Sequence, residues 1–200
     1  MKKATKTLLL MLCAVVLVVS SVLGTVAYLT SEAKVENTFS VGNVTITMDE
    51  STVDAYGVKT SGTTTNNSYK LIPGHKYIKD PTIHVAQKSE PCWLFAKIDN
   101  ELSGITEIDM ETGWVEIETG VYAYLNVVDA RGTQQDQTIF KTFTVNDDFS
   151  YDATYEGKKI IVTGYAVQAN GFEAADDTDD AKKAAAIAAW DATFGAPQNP

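Results

Sequence analysis

The sequence predicts an all-β fold, an antiparallel β-sandwich of jelly-roll type carrying one short C-terminal helix. Three observations predict it. From residue 38 to residue 169 the chain is a succession of short runs rich in Val, Ile, Thr, Tyr and Phe, with turn residues between them. No strand–helix–strand alternation interrupts these runs, so a doubly wound parallel sheet is not expected. At 178–195 the apolar period changes from two to helical, over an alanine-rich stretch.

The first 27 residues read as a secretory signal peptide. Lys2, Lys3 and Lys6 form a positive start, 8–19 carry no charge, and Ser20, Ser21 and Gly24 break the apolar run. Thr25-Val26-Ala27 then places small residues where a signal peptidase reads. A retained anchor is the competing reading, because a short spanning helix needs roughly 17–25 residues. The early lysines and the small-residue exit favour cleavage. Cys13 follows Leu12, where a lipoprotein would carry a small residue.

Cleavage after Ala27 removes three of the 16 basic residues and none of the 26 acidic ones, leaving 13 against 26 and a formal charge of −13. Such a surface repels nucleic acid and anionic membranes. No nucleic-acid partner and no membrane contact after cleavage are therefore expected. Cys92 alone remains of the two cysteines, so no internal disulfide forms. The mature length suits one domain, 38–200, preceded by an extended segment at 28–37.

The domain opens at 38–48, where Val44, Ile46 and Met48 alternate with polar residues and define a buried face. The stretch 49–67 is rich in Ser, Thr, Gly and Asn and reads as a mobile loop with a short strand near Tyr56. Leu71-Ile72-Pro73-Gly74 is a type II turn, with Pro presetting φ and Gly accepting a positive one. After Asp80-Pro81, Ile83 and Val85 face one way from a strand and His84 the other. The next strand, 91–100, holds Cys92 as a buried inert thiol, points Leu94, Ala96 and Ile98 inward and sends Lys97 outward.

The segment 104–111 reads as a connector with a short helix. A strand at 114–118 places Val115 and Ile117 inward and Glu116 and Glu118 outward, and Thr119-Gly120 turns into a strand at 122–128. A polar loop at 129–137, a strand at 138–145, an acidic irregular stretch at 146–156 and a long strand at 158–169 follow. The helix at 178–195 begins among Asp176, Asp177, Asp179 and Asp180 at its positive end and closes at Gly195. Ile187, Trp190 and Phe194 form its packing stripe.

No catalytic constellation stands out. There is no H-E-x-x-H, no glycine-rich phosphate loop, and neither His75 nor His84 has the context of a nucleophile's partner. A zinc peptidase needs about three protein ligands and an open position, and the spacing of the two histidines gives no support for one. The acidic run 176–180 lacks the layout of an EF-hand and reads as helix N-terminal charge. No catalytic residue, metal ligand or cofactor is expected.

An ordered set of stretches resembles the TasA/camelysin family of Gram-positive bacteria. It comprises Gly24-Thr25-Val26-Ala27-Tyr28-Leu29-Thr30, then Asn37-Thr38-Phe39-Ser40-Val41-Gly42. The run 71–81, Gly164-Tyr165-Ala166-Val167-Gln168-Ala169 and the helix through Trp190 complete it. The resemblance implies a signal peptide cut by a SipW-type peptidase and a secreted jelly-roll subunit of biofilm-matrix fibres on the cell surface. It further implies a homopolymer, with accessory matrix proteins as further partners. In the family, the mature N-terminal segment is a donor strand that completes the sheet of the next subunit. The matching stretch here is 28–38, with Tyr28, Leu29, Val35 and Phe39 as polymerisation anchors.

The main-chain pairing of an extended segment with an open sheet edge is β-augmentation, and a head-to-tail contact of this kind builds a filament rather than a ring. The same stretch folding back as an edge strand of its own domain is the plain alternative. Two rival functions carry distinct expectations. A camelysin-like surface metallopeptidase would depend on His75 or His84, and a monomeric adhesin would bind ligand through exposed loop aromatics such as Tyr151 and Tyr155.

Overall fold

The computed structural model describes residues 40, 41, 43–150 and 152–195. The leader and the extended segment 28–37 lie outside them. The described residues form an all-β sandwich with one α-helix. Its strands are β1 (Ser40–Val41), β2 (Ile46–Val53), β3 (Lys59–Thr64), β4 (Lys76–Ile78), β5 (Thr82–Val85), β6 (Cys92–Asn100), β7 (Thr106–Met110), β8 (Trp114–Glu118), β9 (Val121–Tyr124), β10 (Gln135–Thr138), β11 (Phe140–Val145) and β12 (Ile160–Gln168). The helix α1 spans Asp179–Phe194.

Three sheets form, ordered β1-β12-β6-β9-β8, β10-β5-β2-β3 and β4-β11-β7. All pairings are antiparallel except β1 with β12. The longest ladder, β6 with β12, runs from Cys92↔Gln168 to Asn100↔Ile160 without a break.

The alternation of β6 explains the layering. Cys92, Leu94 and Ala96 face β2 and β5 in the main core, with Val44, Ile46, Ile83, Val85 and Ala166. Trp93 and Phe95 face the other way, into a second cluster with Val121, Val167 and α1. Both faces of this strand are thus buried, the sandwich on one side and the helix on the other. Full burial of a side chain such as Leu94 or Phe95 contributes about 1.5–3 kcal/mol. Gly164 lets the two sheets come close together, because a Cβ there would meet Ile83 Cδ1 at 3.0 Å. The third sheet caps one end with an aromatic cluster in which Tyr77 and Phe143 stack at 5.0 Å.

Helix α1 is capped as its sequence requires. Thr178 Oγ1 accepts the Ala181 N–H, and Gly195 N–H donates to the Asp191 carbonyl. Its packing face differs from the predicted stripe. Ala185, Ala186, Ala189 and Trp190 are buried and Phe194 packs beside them, whereas Ile187 is only half-buried and outside the cluster. Small alanines let the helix lie close to the sheet, and Trp190 fills the remaining space against Phe95 (5.2 Å) and Phe194 (4.6 Å).

Three segments depart from the sequence reading. The predicted polar loop at 129–137 runs into β10, whose Gln135–Thr138 pairs with β5. The predicted mobile loop at 49–67 is a hairpin, in which β2 extends to Val53 and pairs with β3. Asp54 holds the turn by accepting the N–H groups of Tyr56 and Val58, and Gly57 takes a φ of 74°. The predicted helical connector at 104–111 is β7, whose Ile108 and Met110 lean on the main core. At 114–118 Val115 and Ile117 are half-buried, while Trp114 is the residue that enters the core. The Pro73-Gly74 turn stands as predicted, closed by His75 N–H to the Ile72 carbonyl at 3.1 Å.

Candidate functional site

The chain enters the domain along the edge of the five-stranded sheet. Ser40 pairs with Ala166 and Val41 with Val167, in parallel register. On this side of β12, β1 is the only partner among the described strands. The sequence Ile160-Ile161-Val162-Thr163-Gly164-Tyr165-Ala166-Val167-Gln168 carries no charge. Exposed edges are ordinarily blunted by charge, Pro or bulges, and β12 has none of these. Ile161 projects from its outer face and is 45% exposed.

Two other edge strands are polar on their exposed positions. Strand β3 is almost wholly exposed but polar, with Lys59 and three threonines, and β8 carries Glu116 and Glu118. The β12 edge therefore differs from them in composition. The anchors Tyr28, Leu29, Val35 and Phe39 lie outside the described residues, so the structure does not place them.

The residues weighed for chemistry are dispersed. His75 Nε2 lies 2.9 Å from the Tyr56 carbonyl, beside the Pro-Gly turn. His84 lies on the outer face of β5, as its strand position predicts, and both ring nitrogens meet carboxylates. Nδ1 is 2.8 Å from Asp136 Oδ1 and Nε2 is 3.1 Å from Asp49 Oδ1. Burial disfavours the charged ring, but the hydrogen bonds and charges of Asp136 and Asp49 outweigh it and raise the His84 pKa. The hydrogen bond from His84 in turn holds Asp136 below the usual carboxylate range. Among the described residues no cluster of three or more His, Cys, Asp or Glu side chains is arranged to hold a metal.

Cys92 is fully buried, and burial pushes its thiol up to about 12, as befits a core residue. Asp176 accepts hydrogen bonds from the backbone and hydroxyl of Thr178, which places the acidic run in the helix cap. Tyr155 is not an open loop aromatic; it packs edge-on against Phe149 at 5.5 Å and is half-buried. Tyr151 lies outside the described residues. Where β12 ends, a shallow groove of about 500 Å³ is lined by Pro91, Val127, Arg131, Gln168 and Phe172. Arg131 beside it is bound by Asp129, with Nη2 2.6 Å from Oδ2.

One constellation has no sequence signal. Glu50, Asn67 and Lys79 meet through contacts 17 and 29 positions apart in the chain. Among the described residues Glu50 is the one charged side chain that is buried. Three separate segments bring the group together, so no spacing motif could announce it.

No protein-family profile, curated protein or solved structure matches this chain.

Proposed function

We propose that this protein is an exported structural subunit of extracellular fibres, polymerising head-to-tail by donor-strand complementation. The observation that carries the reading is the uncharged, β-branched edge of β12, along which the chain enters the domain at Ser40 and Val41. A parallel strand continuing back from Ser40 would run beside Tyr165 and then the residues before it. In the sequence of 28–39, Leu29, Ala33, Val35 and Phe39 fall at odd positions, which would put them on one face of such a strand. Supplied by the next subunit, it gives a repeating contact; supplied by its own chain, it gives a monomer.

Export through the leader and cutting by a SipW-type peptidase belong to the same reading, as does membership of the TasA/camelysin family with its jelly-roll topology. Its site is the surface or matrix of a Gram-positive cell, and its partners are further copies of itself together with accessory matrix proteins. The net charge of −13 after cleavage makes assembly dependent on salt, because like-charged subunits repel unless screened.

The test is a pair of chains, one starting at Tyr28 and one at Thr38. The longer chain forms filaments, and the shorter one keeps the same circular dichroism spectrum but stays monomeric. Filaments from the shorter chain would refute the donor-strand reading.

A further inference from the structure

Glu50, on β2, is buried and holds two side chains at once. Its Oε2 lies 2.7 Å from Lys79 Nζ, and its Oε1 accepts a hydrogen bond from Asn67 Nδ2 at 2.9 Å. Only 11% of the Lys79 side chain and 7% of the Glu50 side chain are exposed. An amine and a carboxamide thus face the two oxygens of one carboxylate, away from bulk water.

The rest of the Asn67 amide is also fixed. Its Oδ1 accepts the Val53 N–H at 3.0 Å, and its Nδ2 donates a second hydrogen bond to the Ser51 carbonyl at 2.9 Å. Tyr69 walls the site and packs edge-on against Tyr77 and Phe143. Burial, with Glu50 and Asp80 nearby, raises the Tyr69 pKa.

We infer that Lys79 and Asn67 join in an autocatalytic isopeptide bond, with Glu50 as the proton relay. A lone buried ion pair gains little over an apolar pair of the same shape. A carboxylate that touches both an amine and an amide holds the two side chains beside one another and can relay the proton that acyl transfer between them moves.

The step balances without a cofactor or an oxidant. Glu50 takes one proton from the Lys79 ammonium, and the freed Nζ lone pair attacks Asn67 Cγ. The carbonyl electrons move onto Oδ1, where the Val53 N–H stabilises the developing negative charge. As the Cγ–Nδ2 bond breaks, Glu50 and the attacking nitrogen between them deliver two protons to Nδ2, which leaves as ammonium. One proton stays on the new amide nitrogen, and Glu50 returns to its carboxylate.

The product ties the connection between β3 and β4 to the end of β4, across β2. The inference stands on the domain's own geometry and does not rest on the fibre reading.

Mass spectrometry tests it. The intact mass of the purified chain, compared with the sequence mass from its measured N terminus, is expected to be lower by one ammonia. Trypsin is expected to release 60–70 joined to 77–88 as one branched peptide, because cleavage after the modified Lys79 is blocked. Glu50→Gln, which preserves shape, is expected to restore the full sequence mass. A wild-type chain at full sequence mass, yielding free 77–79 and 80–88, overturns the proposal. A mass loss mapped to an unbranched 60–70 peptide overturns it equally. A Glu50→Gln chain that keeps the cross-link overturns the relay role of Glu50. The wild-type peptide map decides the cross-link even where the variant fails to fold.

Discussion

Ser40 lies opposite Ala166 in parallel register, and this pair fixes where the chain joins the five-stranded sheet. Every other ladder among the described residues is antiparallel. A parallel partner cannot be reached by a tight hairpin from its neighbour. The strand beside β12 must therefore come from a remote part of the chain, or from another chain. That geometry is why the β12 edge suits an exchanged segment.

If a neighbour's segment pairs along β12, a charge on its outer face should block assembly without harming the monomer. Ile161→Lys tests this. Ile161 is 45% exposed, so the stability change should stay within about 0.5 kcal/mol by urea denaturation. Filament yield should fall sharply at the same concentration. Undiminished filaments would place the contact elsewhere.

His84 should confer a defined pH dependence on stability. Its folded pKa is raised, so its contribution is full below the unfolded value of about 6.5 and is lost as pH rises through the folded value. Asp136 has the opposite sign; its folded pKa is lowered, so its contribution is present above about 3.9 and lost as pH falls through the folded value. The clamp between β5 and its neighbours is thus strongest from about pH 4 to 6.5. Unfolding midpoints across pH should show this window in the wild type and lose its upper limb in His84→Gln.

The helix should prove integral to the sandwich. Trp190 is 8% exposed, touches Phe95, Tyr165 and Phe194, and donates its Nε1–H to Glu118 Oε2 at 3.2 Å. Trp190→Ala should cost about 3–5 kcal/mol, the usual range for emptying such a site. Glu118→Gln should cost much less, because it preserves the packing. Equal losses from the two variants would assign the energy to the hydrogen bond instead.

Alternation made the long strands legible. Leu94, Ala96 and Ile98, or Ile83 and Val85, announce a buried face because each pair is separated by one residue. Strand β3 carries no such signal, since nearly all of Lys59–Thr64 is exposed and the strand is defined by its ladder to β2. Strand β7 does carry the alternation, with exposed Glu107 and Asp109 between Ile108 and Met110, but it is only five residues long and follows the turn-rich stretch at 101–105, which makes it read as a connector. The helix caps were legible because Thr178 and Gly195 act locally. The Glu50–Asn67–Lys79 group was not, because the β2–β3 hairpin had first to fold before those residues could meet. The entry edge was legible only in part: its strand was visible, but its parallel pairing was not.

The central claim is polymerisation through the N-terminal segment, and sedimentation with negative-stain imaging tests it most directly. The chain from Tyr28 onward should be examined across protein concentration and salt. The account predicts filaments with an axial repeat of one domain, growing with concentration and with screening of the net charge of −13. A single monomeric boundary under every condition would contradict it.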